Sequence, residues 1–237
     1  MEIDKIYNED CLEGLKRMPD GCIDLIVADP PYDFVGNGKE YGGGGAFGTN
    51  GRAYHGELEQ AGIIAGFDRD AVMRECIRVM RKVNIYIWCN KEQLLWYLDF
   101  FKGYNMDLLS WHKTNPTPMC CNKYLSDTEY LLFFREKGVK LFGTFDTKKK
   151  YFLQKANKDD KEKWGHPTIK PLNIIRTLVV NSSEEGQTVL DPFMGSGTTA
   201  IACINENRHY VGFELNKQYY DKSLERIGAE QSNPSLF

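Results

Sequence analysis

Apolar and polar positions sort this chain into short buried strands and one-sided helices. "DKIYN" (4–8) reads as a strand; Cys11, Leu12, Leu15 and Met18 then share one helical face until Pro19-Asp20-Gly21 stops it. Leu25 to Ala28, at the end of 23–28, are uninterruptedly apolar, the pattern of a strand covered on both faces. A helix over 69–81 leads into a strand at 83–90, and a helix over 91–102 places Leu94, Leu95, Leu98 and Phe101 toward a sheet. Strands follow at 106–113 and 129–136. A helix over 171–181 opens with Pro171 in its first turn and buries Ile174, Ile175, Leu178 and Val179. Then come a strand at 188–192, a helix from Thr198, a strand at 209–215 and a last helix from Asn216 that buries Tyr220, Leu224 and Ile227. The tail from Ser232 is expected to fray. This βαβ rhythm, without internal repeats, predicts an α/β fold with a doubly wound, mostly parallel sheet.

Two segments break the pattern. Residues 36–56 hold nine glycines and cannot form a regular element. A segment of this kind is either a mobile functional loop or a disordered insertion. Residues 137–163 carry nine lysines against four acids, a local +5 that leaves −8 on the rest of a chain whose net charge is −3. Such a patch binds phosphates even on an acidic body, though a charge run is also an ordinary solvated surface.

Composition narrows the class. A chain of 237 residues, 42% hydrophobic and 27% charged, can bury a large globular core. No apolar run reaches the ~20 residues of a membrane span, and the acidic start "MEIDKIYNED" lacks the character of a signal peptide. The expectation is a cytoplasmic protein. Seven cysteines without a CxxC pair, and histidines without ligand spacing, argue for reduced, mostly buried thiols rather than a metal centre or disulfide framework.

Two loops carry candidate chemistry. At the end of the strand over 23–28 stand Asp29, Pro30, Pro31 and Tyr32: a carboxylate, a rigid corner lacking two backbone donors, and a stacking ring. Alone, Asp29 could equally cap a turn and Tyr32 could be core. The second loop, "VLDPFMGSGTTA" (189–200), is a strand end, a glycine turn at Gly195 and Gly197, and a helix start whose free N–H groups face the space above. It has no lysine of the Walker type. It fits the loose dinucleotide pattern G-x-G-x-x-A, and Glu214 follows at the end of the next strand, where an acid holds ribose hydroxyls. If the two strands are neighbours, one loop holds a cofactor and the other presents a substrate to it.

Together these residues carry a resemblance. DPPY at 29–32 with FMGSGT at 193–198 resembles the amino-group DNA methyltransferases that use S-adenosylmethionine. The order, DPPY first and glycine loop last, is similar to their circularly permuted beta group. "YNEDC" (7–11), "WHKTNPTP" (111–118), "EYLLFFRE" (129–136), "HPTIKP" (166–171) and "VGFELN" (211–216) agree with it. The resemblance implies one catalytic domain over 1–237 with a Rossmann-like, seven-stranded sheet, in which the strand at 4–8 lies beside that at 209–215. It implies S-adenosylmethionine as cofactor, with Asp10 at the adenine amino group, Glu214 at the ribose, and Phe193, Gly195, Gly197 and Thr198 along the methionine portion, Lys170 and Thr168 nearby. Cys11, Asp29, Asp191, Ser196, Leu215 and Asn216 complete the implied cofactor site.

Methylating an exocyclic amine is difficult because the nitrogen lone pair is delocalised into the base. Two acceptors, the Asp29 carboxylate and the Pro30 carbonyl, would draw the amine toward tetrahedral geometry and position it against the sulfonium methyl. A base in a duplex must first be flipped out, and Tyr32 would recover about 1–3 kcal/mol by stacking on it. On this reading Asp29, Pro30, Pro31 and Tyr32 are catalytic and the partner is DNA. An aspartate at the first position leans toward adenine N6; cytosine N4, and adenine in single strands or RNA, are the alternatives. Lys39 and Arg52 in the glycine-rich loop, and Lys148, Lys149 and Lys150 in 137–163, where the family carries its target-recognition region, are candidate DNA contacts. The resemblance also leaves room for a homodimer and for a cognate restriction endonuclease. A nicotinamide-dependent dehydrogenase would use Gly195 and Glu214 but gives DPPY no purpose, and the intact clamp argues against a non-catalytic DNA-binding regulator.

Overall fold

The computed structural model describes residues 1–32, 66–116, 118, 124–156, 163–164 and 169–232. Eight strands form one sheet: β1 (Lys5–Tyr7), β2 (Leu25–Ala28), β3 (Asn84–Cys89), β4 (Asn105–Lys113), β5 (Thr128–Arg135), β6 (Tyr151–Gln154), β7 (Thr188–Asp191) and β8 (His209–Phe213). Their order is β1-β8-β7-β2-β3-β5-β4-β6. Only the two pairings made by β5 are antiparallel. β1 docks on β8 with Ile6 opposite Gly212, the neighbourhood that the resemblance implied.

The expected sheet has seven strands, and the eighth is β6. It lies within the lysine-rich stretch and pairs in parallel with β4 at the sheet edge, Trp111 opposite Phe152. Four residues between lysine clusters, two of them largely exposed, carry too weak an alternation to be read as a strand from sequence.

Helices cover both faces. α1 (Cys11–Lys16), α2 (Arg69–Val79) and α3 (Leu94–Phe100) pack on one, burying Leu15, Met73, Cys76, Tyr97 and Phe101 against Ile26, Ile85, Ile87 and Phe134. α4 (Leu172–Ser182), α5 (Thr198–Asn205) and α6 (Lys217–Ser232) lie on the other, around Tyr86, Trp88, Val189, Leu178 and Ile201. β3 feeds both layers, because alternate residues of a strand point to opposite faces and all six of its residues are buried. In α4 the four expected core residues are buried. Two expectations fail at helix surfaces. Leu95 is 80% exposed and Leu224 43% exposed, and Tyr97 and Arg226 are the buried residues instead. A heptad-like apolar pattern does not fix helix rotation to within one residue, and here it turned α3 and α6 too far.

Gly14 shows why α1 can approach the sheet so closely: a Cβ there would lie 2.1 Å from the Phe213 ring. The thiols of Cys11, Cys76, Cys89 and Cys203 are buried. No described helix is long and apolar enough to cross a membrane.

Candidate active site

The chain order reverses between β7 and β2, which run parallel with Leu25 opposite Val189 and Ile26 opposite Leu190. On one side of that seam lie β7 and β8, late in the sequence, with β1 beyond them; on the other β2 and β3 come first, so the seam is the switch point where open α/β sheets bind ligands. The two candidate loops both leave the carboxyl ends of these neighbouring strands.

The glycine loop turns through Gly195 (φ 53°) and Gly197 (φ 82°), left-handed conformations that favour glycine. At Gly197 space is also short, since a Cβ would lie 3.1 Å from Ser223. Asp191, at the end of β7, staples the loop from below: Oδ1 accepts from the Phe193 amide (2.9 Å) and Oδ2 from the Thr199 hydroxyl (2.6 Å). Burial pushes its carboxyl up to about 7, despite both hydrogen bonds. Arg226, buried on α6, reaches the same loop. It donates to the Ser196 carbonyl and hydroxyl (3.2 Å each) and to the Thr198 hydroxyl (2.8 Å). The side chains of Asp191, Ser196 and Thr198 therefore work within the protein, and what this loop offers outward is its backbone.

Glu214 closes the turn from β8. Its Oε2 accepts from the Gly195 amide (2.8 Å) and its Oε1 from the Asn216 amide (2.7 Å). Burial raises its carboxyl above the ordinary range. Asn8 ties β1 to this corner by donating to the carbonyls of Glu214 (2.8 Å) and Leu215 (3.2 Å). Asn216 accepts from the amides of Gln218 and Tyr219 at the start of α6, and Leu215 is exposed. On β1's side, exposed Asp10 caps α1, its Oδ1 accepting from the amides of Leu12 (2.9 Å) and Glu13 (3.2 Å). Cys11 beneath it is core, with burial pushing its thiol up to about 12. Phe193 stands edge-on to Phe67 at 5.1 Å.

Asp29 leads the other loop. Its Oδ2 lies 2.5 Å from the Lys170 ammonium, which is 93% buried and also meets the Tyr32 hydroxyl (3.3 Å) and Glu129 (3.4 Å). Lys170 lies over the rings of Tyr32 and Trp88, at 5.4 and 5.0 Å. Glu129, at the start of β5, accepts from the Tyr32 hydroxyl (3.3 Å) and pairs with Lys113 of β4 (2.6 Å). Burial works against the Glu129 anion, but Lys170 and Lys113 outweigh it and hold its carboxyl at about 2. Burial raises Asp29, with Lys170 opposing, and burial followed by the Asp29 charge raises the Tyr32 phenol. Lys170 itself is raised: burial would lower it, and the two carboxylates prevail.

The prolyl corner is held from α3's side. Gln93, wholly buried, donates from Nε2 to the Pro31 carbonyl (2.8 Å) while its Oε1 accepts from the Asn90 amide (3.2 Å). Gln93, Glu129, Lys113 and Arg226 escape a sequence reading because each acts on a loop distant in the chain. Only the placement of Glu129 at the head of "EYLLFFRE" hinted at a site residue. Thr168, Lys39 and Arg52 lie outside the described residues. Lys148 is exposed, Lys149 pairs with Asp146 (2.8 Å) and Lys150 with Asp107 (2.5 Å).

A mostly parallel sheet carrying a glycine turn, a glutamate at the neighbouring strand end and an Asp-Pro-Pro-Tyr corner at one seam is the architecture of a Rossmann-like methyltransferase. The family profile described as DNA methylase, for N6 and N4 methyltransferases, matches residues 23–225, and the chain belongs to this family. It is similar to the type II methyltransferases M.HinfI of Haemophilus influenzae (26% identity over 98% of this chain and 70% of that protein) and M2.DpnII of Streptococcus pneumoniae (29%, covering 95% and 90%). Among solved structures, the fold matches the M1.HpyAVI complex with S-adenosylmethionine (TM-score 0.68, 24% identity, 94% of this chain and 98% of that one). It also matches the cytosine-N4-specific PvuII DNA methyltransferase (TM-score 0.67, 16% identity, 94% and 86%). The protein is a DNA methyltransferase of this family.

Proposed function

We propose that the protein methylates the N6 amino group of an adenine turned out of DNA. The observation that carries this reading is Asp29 on the rigid prolyl corner, one strand from the glycine turn. S-adenosylmethionine supplies an electrophilic methyl on a sulfonium. The residues present suit it: the outward backbone of Gly195 to Thr198, the Glu214 carboxylate for ribose hydroxyls, Phe193 alongside, and Asp10 at the mouth of β1 for the adenine amine. Asp191, Ser196, Asn216 and Cys11 serve this site from behind, by holding its loops and core.

At the substrate side, Asp29 and the Pro30 carbonyl accept the two amine hydrogens and localise the nitrogen lone pair. Tyr32 supplies a stacking face, and its hydroxyl fixes the ring by donating to Glu129. Burial makes Asp29 a better base than a surface aspartate, so it suits the proton that the amine must shed after gaining a methyl. Asp29 rather than serine favours adenine. The PvuII enzyme shares the fold with cytosine-N4 specificity, so fold alone does not choose the base. The permuted order of the motifs fits the beta group, the whole chain reads as a single catalytic domain, and a homodimer and a cognate endonuclease fit the type II relatives. Residues 137–163, with β6 at their centre, and the glycine-rich 36–56 are the candidate DNA-facing segments.

Asp29→Ala tests the clamp. Turnover is expected to fall by at least about 10²-fold, the order seen when one charge-stabilising group is removed, with S-adenosylmethionine affinity unchanged. Unchanged turnover would remove Asp29 from the chemistry.

A further inference from the structure

The seat intended for the base amine is taken. Asp29 Oδ2 is in contact with the Lys170 ammonium at 2.5 Å, and the same nitrogen meets the Tyr32 hydroxyl at 3.3 Å. An amine N–H that approaches this oxygen competes with a charged donor, whose hydrogen bond is the stronger of the two. One anion stands ready to take the ammonium. Glu129 already touches the ammonium at 3.4 Å, has its other oxygen anchored 2.6 Å from Lys113, and accepts from the Tyr32 hydroxyl. Asp29, Glu129, Lys170 and Lys113 together are charge-balanced, so moving the ammonium by about an ångström from one carboxylate to the other changes no net charge in a buried place.

We propose that Glu129 is a positioning residue that receives the Lys170 ammonium when the target amine enters, freeing Asp29 Oδ2 to accept an amine hydrogen. The step exchanges hydrogen bonds only; Lys170 keeps its proton throughout. It rests on the amine-clamp reading above and adds to it a residue that no substrate atom touches. Its consequence is conditional: Glu129 matters because Lys170 is there.

A double-mutant cycle reads that condition. Initial rates would be measured with labelled S-adenosylmethionine on unmethylated genomic DNA, for the wild type, Glu129→Gln, Lys170→Met and the double variant. The cycle is run at pH 9, because burial raises the Asp29 carboxyl and loss of Lys170 removes the main opposing charge, so high pH favours the anion the clamp needs. The titratable groups facing Asp29 are Lys170, Tyr32, Glu129, Cys89 and Asp191. Glu129→Gln is expected to lower kcat at least 10-fold in the wild-type background and less than 2-fold in the Lys170→Met background, and to leave KM for S-adenosylmethionine unchanged in either. Equal losses in both backgrounds would make Glu129 merely structural and overturn the proposal. So would a Lys170→Met protein that binds S-adenosylmethionine but cannot turn over at pH 9; Lys170→Gln replaces it if the methionine variant fails to fold. If the wild type labels no amino group in DNA, the clamp reading itself is wrong, a result distinct from an additive cycle.

Discussion

Gln93→Leu isolates the rigidity of the prolyl corner from its chemistry. Gln93 is wholly buried, and its Nε2 is 2.8 Å from the Pro31 carbonyl while its Oε1 accepts from the Asn90 amide. Leucine fills most of the volume but leaves both groups without these partners. An unpaired buried polar group costs about 1–3 kcal/mol, and the corner can escape that cost only by tilting its carbonyls toward water. The tilt would carry the Pro30 acceptor away from its line to the amine. If half or more of that energy is lost from the transition state, kcat falls about 2- to 140-fold, at about 1.4 kcal/mol per decade. Because Gln93 lies on α3's side of the seam, away from the glycine loop, the dissociation constant for S-adenosylmethionine should not move. The assay is steady-state methylation at saturating cofactor, alongside calorimetric cofactor binding and a melting curve. A variant with unchanged kcat, folded and cofactor-competent, would refute the claim that this bond holds the clamp in register. Equal losses in kcat and cofactor affinity would refute it too, by pointing to a general collapse of the seam.

Three further outcomes follow from the same contacts. Arg226→Met removes the charged donor shared by Ser196 and Thr198, so denaturant unfolding should show a loss of about 1.5–3 kcal/mol together with weaker S-adenosylmethionine binding. Asp191 is raised to about 7 by burial, so the folded protein holds this proton more tightly than the unfolded chain. The stability it confers is full below the ordinary value of 3.8, falls as pH rises and is gone above about 7. Against Asp191→Asn, the wild type should therefore lose about 1.4 kcal/mol per pH unit between those limits in urea titrations; parallel curves would contradict it. Replacing Lys148, Lys149 and Lys150 with glutamine should reduce the slope of log affinity for DNA against log salt by up to about 3, since the exposed pairs of Lys149 and Lys150 are cheap to exchange for phosphates.

What the sequence made legible is what local chemistry encodes. Leu25 to Ala28 can only be a doubly covered strand, Gly195 and Gly197 announce a tight turn, and the one-sided apolar residues of 171–181 place α4. The adjacency of β2 and β7, and hence the meeting of the two loops, was only a condition in the sequence; the fold supplies it. What stayed hidden depends on rotation or on distance. Leu95 and Leu224 face solvent because a helix with apolar residues on more than one side settles by packing. β6 has no side-chain pattern of its own and exists because β4 offers it an edge. Gln93, Glu129, Lys113 and Arg226 look like surface polar residues in the sequence. Each becomes a site component only when the fold brings it to a loop far away in the chain, and nothing periodic marks such a contact.

The clamp, the cofactor and the choice of base meet in a single product. Nucleosides from unmethylated DNA incubated with the protein and S-adenosylmethionine, digested and weighed by mass spectrometry, should contain N6-methyladenine. N4-methylcytosine in its place, or no methylated amine at all, would contradict the assignment of Asp29 as the acceptor for an adenine.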